Sequence, residues 1–199
     1  MKSQLKILAL ITFLSGVVFL SGCDEDPEPE DVEEEITKVV LTFTPSGGSA
    51  IVVEAEDFDL GGVGPFEKEP IALNANTTYT LTIEMFNGFY EPTDDDYNVT
   101  TEVAEEAEEH QLFFSWSTGV FTSPTGTGNI GSIGVVNYED QDDNNLPLGL
   151  ETTWTTSSAT TGKEFRILLK HQPNEKSATS TSDDGGTDLD LTFPISINE

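Results

Sequence analysis

"DLDLTFPISI", residues 188–197, places Leu189, Leu191, Phe193, Ile195 and Ile197 on one face and leaves the intervening residues, Pro194 among them, on the other. Successive side chains of an extended chain point to opposite faces, so this alternation predicts a strand with one face buried. Proline lacks a backbone donor, and its place opposite the apolar face suggests an edge strand. The same period runs through "ITKVVLTFTP" (36–45), where Val39, Leu41 and Phe43 oppose Lys38, Val40 and Thr42. It returns in "TYTLTIEMFN" (78–87), which groups Tyr79, Leu81, Ile83 and Met85.

Five further segments are of strand length: "AIVVEAE" (50–56), "QLFFSWS" (111–117), "IGSIGVVNY" (130–138), "LETTWTTSS" (150–158) and "EFRILLK" (164–170). Each is rich in aromatic or β-branched residues and bounded by Gly, Asn, Asp or Pro. About eight strands with turns between them predict an all-β fold, an immunoglobulin-like antiparallel β-sandwich over residues 36–199, although its Cys-Trp-Cys markers are absent. One stretch differs. "NVTTEVAEEAEEH" (98–110) has helix formers, Val99 and Val103 four apart, and Asn98 or Thr100 as a cap, which predicts one short helix crossing between the sheets.

The amino terminus has another character. Lys2 and Lys6 precede an apolar run, Ile7 to Leu20, broken only by Thr12, Ser15 and Gly16. A membrane span needs about 20 apolar residues, so this run is the core of a signal peptide covering residues 1–22. Leu20-Ser21-Gly22-Cys23 resembles the lipobox of bacterial lipoproteins. In that family the cysteine becomes the first mature residue and carries lipid, which implies that Cys23 is an anchor. It is the only cysteine, which excludes a disulfide framework and a thiolate metal cluster.

Residues 23–35 hold an acidic block with Pro27 and Pro29, too poor in apolar residues to fold, and are expected to form a disordered tether. With Lys2 and Lys6 removed, six basic residues face 37 acidic ones. Such a field repels nucleic acid and anionic lipid surfaces and concentrates cations. The acidic run after the cysteine also resembles the export signal of surface-exposed lipoproteins of Bacteroidota, whereas in enterobacterial sorting an aspartate like Asp24 implies retention at the inner membrane. The outer membrane, facing outward, is the expected location.

Three places offer chemistry. "DQDDNNLPLGLE" (140–151) sets Asp140, Asp142 and Asn144 at alternate positions and Glu151 at the twelfth, the oxygen spacing of a calcium loop, with the carbonyl of Leu146 as a further ligand. Asn145 stands where such loops carry glycine, and strands flank the loop; an acidic hairpin tip without an ion is the simpler alternative. If Ca2+ binds, an affinity of about 10⁻⁴ to 10⁻³ M is expected. His110, with Glu106 one turn before it, and His171 form a zinc or copper site if their strands pair. Phe89 and Tyr90 in "NGFYEP" (87–92) are candidate ligand-stacking residues, while Trp116 and Trp154 lie inside strand patterns and read as core. A second acidic turn, with Glu56, Asp57 and Asp59, is a weaker cation candidate. No serine–histidine signature, phosphate loop or nucleotide fingerprint is present, so the chain reads as a binding protein and not an enzyme.

The segments "EEEITKVVLTFTP", "LNANTTYTLTIEMFN", "EEAEEHQLFF", "YEDQDDNNLPLGL", "LLKHQPNEKS" and "TDLDLTFPISI" resemble, in that order, a group of small Bacteroidota lipoproteins. These are often encoded with TonB-dependent outer-membrane receptors and carry a name borrowed from type 1 periplasmic binding proteins. The resemblance implies association with such a receptor. It implies nothing about a periplasmic-binding-protein fold, since no alternating βα pattern occurs here.

Overall fold

Alternation becomes burial in strand β1 (Lys38–Pro45), whose Val39, Leu41 and Phe43 are wholly buried. The computed structural model describes residues 34–58 and 65–199, all within the unit Asp31–Glu199. Cys23, the lipobox and the tether up to Glu33 lie outside the described residues, as does Asp59. After β1 come β2 (Ile51–Glu56), β3 (Glu67–Lys68), β4 (Ile71–Asn74), β5 (Thr78–Phe86), helix α1 (Val99–Glu105), β6 (His110–Trp116), β7 (Phe121–Ser123), β8 (Glu151–Thr156), β9 (Thr160–His171) and β10 (Gly186–Asn198). They form two sheets, one ordered β3-β2-β1-β5-β8-β7 and the other β4-β10-β9-β6.

Register sets which faces meet. β1 and β5 pair antiparallel with Leu41 opposite Ile83 and Phe43 opposite Leu81, so apolar residues of both strands share one face. The inner face of the second sheet carries Leu112, Phe114, Phe165, Ile167 and Leu169, and the two faces join in one core. Phe43 meets Phe165 edge-on at 6.4 Å, and Phe114 meets Trp154 at 5.5 Å, the separations that favour aromatic pairs. Trp116 and Trp154 are core residues, as their strand positions predict. The described residues form an all-β sandwich with one short α-helix.

Four details differ from the sequence reading. β10 lies inside its sheet, between β4 and β9, and not at an edge. Pro194 is tolerated because the β4 ladder begins at Ile195, one residue beyond it, so no bond to β4 is asked of the missing donor. That β4–β10 pair is parallel in an otherwise antiparallel assembly. Residues 130–138 form an irregular segment with one isolated bridge, Tyr138 to Thr152, instead of a strand. Gly131 has φ +65°, and Gly134 packs so tightly on the backbone of Gly128 that a Cβ would collide with it, which breaks the extended period. Finally, α1 stops at Glu105, and Thr100 is no cap: its hydroxyl bonds the backbone N–H and carbonyl of Met85 and ties the helix to β5. Val99 and Val103 are its buried residues. Among the described residues, no helix is long and apolar enough to cross a membrane.

Candidate functional site

The β6–β9 ladder ends with His110 directly opposite His171. Two residues inward, Leu112 opposes Leu169 in the core, so both histidines face inward and close one end of the sandwich. The rings stack in parallel, with centroids 4.5 Å apart and planes 7° from parallel, and both residues are buried. Carboxylates and a carbonyl orient them. Nδ1 of His110 lies 3.2 Å from the Glu106 carbonyl oxygen, and Nε2 of His171 lies 3.3 Å from Oε2 of Glu109. Nε2 of His110 lies 3.7 Å from Oδ2 of Asp188, with both side chains fully buried. The β9–β10 register shifts between Thr187 and Leu189, so Asp188 is an extra residue, and such a bulge re-aims its side chain.

Glu106, His110 and His171 each offer a ligand atom, all within 4.8 Å of one another; the two rings are buried and Glu106 is exposed. The surrounding field is negative. Burial raises the Glu34 carboxyl to about 7, helped by the charges of Glu102, Asp188 and Glu106 and by a hydrogen bond with Glu102. Burial also raises Glu106, reinforced by Glu102 and Glu109 and opposed by His171. Glu34 thus lies beside this rim. Two imidazoles and a carboxylate are the donors that borderline divalent ions select, and a carboxylate on the second ring nitrogen is the usual device that fixes a ligand histidine.

The 140–151 loop uses its oxygens differently. Asp140 accepts the backbone N–H of Gly149 at 2.7 Å and of Glu151 at 3.0 Å, and burial raises its carboxyl. Asp142 accepts from the backbone of Asn144 at 2.9 Å and of Leu146 at 2.8 Å. Its other oxygen lies 3.0 Å from Nζ of Lys176, with both side chains fully buried. Burial pushes the Asp142 carboxyl up, but the Leu146 N–H, Lys176 and the Asn144 N–H together hold it below its ordinary range. Burial lowers the Lys176 ammonium against the pull of Asp142.

Lys176 also donates to the Ala107 carbonyl at 2.6 Å, and the Asn144 amide donates to Glu108 at 3.0 Å. The Leu146 carbonyl accepts from the Asp142 N–H at 2.9 Å. Asn145 adopts φ +62°, the left-handed geometry that asparagine tolerates. Glu151 is exposed at the start of β8. Asp140, Asp142 and Glu151 do not form a group of ligand atoms as close as the histidine rim among the described residues.

Asp188 and Lys176 were not legible as site residues. Asp188 reads as the polar phase of a strand until the bulge is known, and Lys176 is remote in sequence from the aspartate it meets. Tyr138 is a third such residue. Its hydroxyl donates to the Leu112 carbonyl at 2.7 Å and accepts from Asn129 at 2.9 Å, while burial raises it to about 12. Phe89 and Tyr90 lie exposed on the turn after β5, 48% and 42% accessible, as a contact surface requires. Asp57 is buried, its backbone N–H bonded to the Thr37 carbonyl. No protein-family model, curated protein or solved structure matches this chain.

Proposed function

We propose that the chain is a lipid-anchored cell-envelope protein whose β-sandwich binds a ligand or partner on behalf of a TonB-dependent outer-membrane receptor. The observation that carries this reading is Leu20-Ser21-Gly22-Cys23 after an apolar run, which resembles a lipobox. A chain fastened through Cys23 keeps Glu34 within about 40 Å of lipid, the reach of eleven extended residues. The lipobox and the acidic run support the outer membrane, with the body facing outward, and acylation with two or more chains holds a soluble body stably.

Mass spectrometry of native material tests the anchor, and capture of a TonB-dependent receptor with the lipidated protein from native envelope tests the association. Met1 still attached or Cys23 unmodified overturns the first; an envelope preparation that yields no receptor overturns the second. The exposed turn bearing Phe89 and Tyr90 favours a second reading, a surface module that is structural, adhesive or glycan-binding and stiffened by Ca2+ at Asp140, Asp142, Asn144, Leu146 and Glu151. Glycan arrays with Phe89→Ala and Tyr90→Ala, run with and without calcium, separate it from the receptor role.

A further inference from the structure

We propose that Glu106, His110 and His171 bind one divalent transition-metal ion of the zinc and copper class at the end of the sandwich where the β6–β9 ladder closes. This site stands on the body alone and depends on neither the anchor nor the receptor. The backbone ladder fixes the first two donors. His110 and His171 are a directly opposed pair on hydrogen-bonded strands, so their Cα atoms cannot separate without breaking the β6–β9 register. Each ring is already oriented through one nitrogen, Nε2 of His171 by Glu109 and Nδ1 of His110 by the Glu106 carbonyl, so the ion is taken by the other nitrogen of each. This is the supporting shell that raises the basicity of ligand imidazoles. The third donor, Glu106, lies on the turn after α1 and is exposed, so its carboxylate can swing onto an ion.

The distances suit such closure. Bonds of about 2.0–2.1 Å in tetrahedral geometry place donor atoms about 3.3 Å apart. The ligand atoms here lie within 4.8 Å, and a splay of the stacked rings with rotation of Glu106 closes the difference. Charge points the same way. Glu34, Glu102, Glu106, Glu109 and Asp188 concentrate negative charge about this rim. One dication at the nitrogen edge of the rings meets that field. Imidazole donors select against calcium, which takes oxygen, and so separate this site from the 140–151 loop.

The test uses the full-length chain in detergent. Zn2+ is titrated calorimetrically, Co2+ is followed by its visible absorption, and Cu2+ by nitrogen superhyperfine structure in electron paramagnetic resonance. One ion per chain is expected, with the copper spectrum reporting two imidazole nitrogens and excess Ca2+ failing to displace Zn2+. His171→Gln should remove one nitrogen and weaken Zn2+ binding by about 100-fold, and the exposed Glu106→Gln should weaken it by about tenfold. Should His171→Gln fail to fold, the wild-type copper spectrum and Glu106→Gln decide the matter. The proposal is overturned if the folded wild type binds none of the three ions stoichiometrically, if the copper spectrum lacks imidazole nitrogen, or if affinity is unchanged in Glu106→Gln and in every other folded variant.

Discussion

The histidine rim and the 140–151 loop flank the same turn, residues 106–110, and use their carboxylates in opposite ways. Glu106 and Glu109 face the rings, whereas the Ala107 carbonyl and Glu108 receive Lys176 and Asn144. In the loop, closely spaced carboxylates fold back onto their own backbone N–H groups, and Asp142 also meets a buried lysine. At the rim, donors far apart in sequence meet through strand register, and carboxylates outnumber the rings. Donor spacing therefore counts the oxygens a loop possesses; what they bond is decided by which N–H groups and cations the fold brings within reach.

Breaking the lysine tie should have the largest effect. Lys176→Met leaves a buried carboxylate at Asp142 without its cation, and a loss of about 3–5 kcal/mol is expected in urea unfolding. Adding Asp142→Asn should recover part of that loss, since the amide still accepts the backbone donors of Asn144 and Leu146. A loss below about 1 kcal/mol for the single variant would show that the pair contributes no more than a surface one.

Next comes the rim. Zn2+ at a hundred times its dissociation constant should stabilise the wild type by about 2.7 kcal/mol, read as a rise in Tm. Glu106→Gln, binding about tenfold more weakly, should lose about half of that increment at the same zinc concentration. Ca2+ should produce none of it at the rim, and a calcium-dependent rise abolished by Asp140→Asn would instead place a cation in the loop.

Tyr138→Phe sharpens the loop side. It strips the Leu112 carbonyl and the Asn129 amide of a buried partner, for an expected loss of about 1–3 kcal/mol without change in zinc affinity. The smallest effect is in pH dependence. Glu34 titrates at about 7 in the folded state against an ordinary 4.5, so between these values the folded chain holds a proton that the unfolded chain has released. Stability then falls as pH rises through that window and is unaffected below it. Glu34→Gln should flatten the slope, modestly, because the group is partly exposed and salt screens it; a slope unchanged in the variant would assign it to other carboxyls.

Several elements were legible from period alone. Val39, Leu41, Phe43, Tyr79, Leu81, Ile83, Met85 and the inward residues of β10 are buried where alternation puts them, because burial of one face demands a period of two and little else satisfies it. Residues 130–138 misled because their composition is strand-like while Gly131 takes up left-handed geometry and Gly134 packs against the Gly128 backbone, a close contact that composition does not show. Strands β3, β4 and β7 escaped notice because two to four residues carry too few alternations to register.

The site divides along the same line. His110, His171 and Glu106 were recognisable as donors from residue type, and the condition for their meeting, that their strands pair, was also readable. Sequence by itself determined the alternating faces, the excess of negative charge, the solitary Cys23 and the inventory of donors, since each follows from local residue order. Tertiary structure alone decided that His110 stands opposite His171, that a bulge re-aims Asp188, and that Lys176 reaches Asp142, because strand register and loop packing join residues whose separation along the chain carries no information about their distance in space.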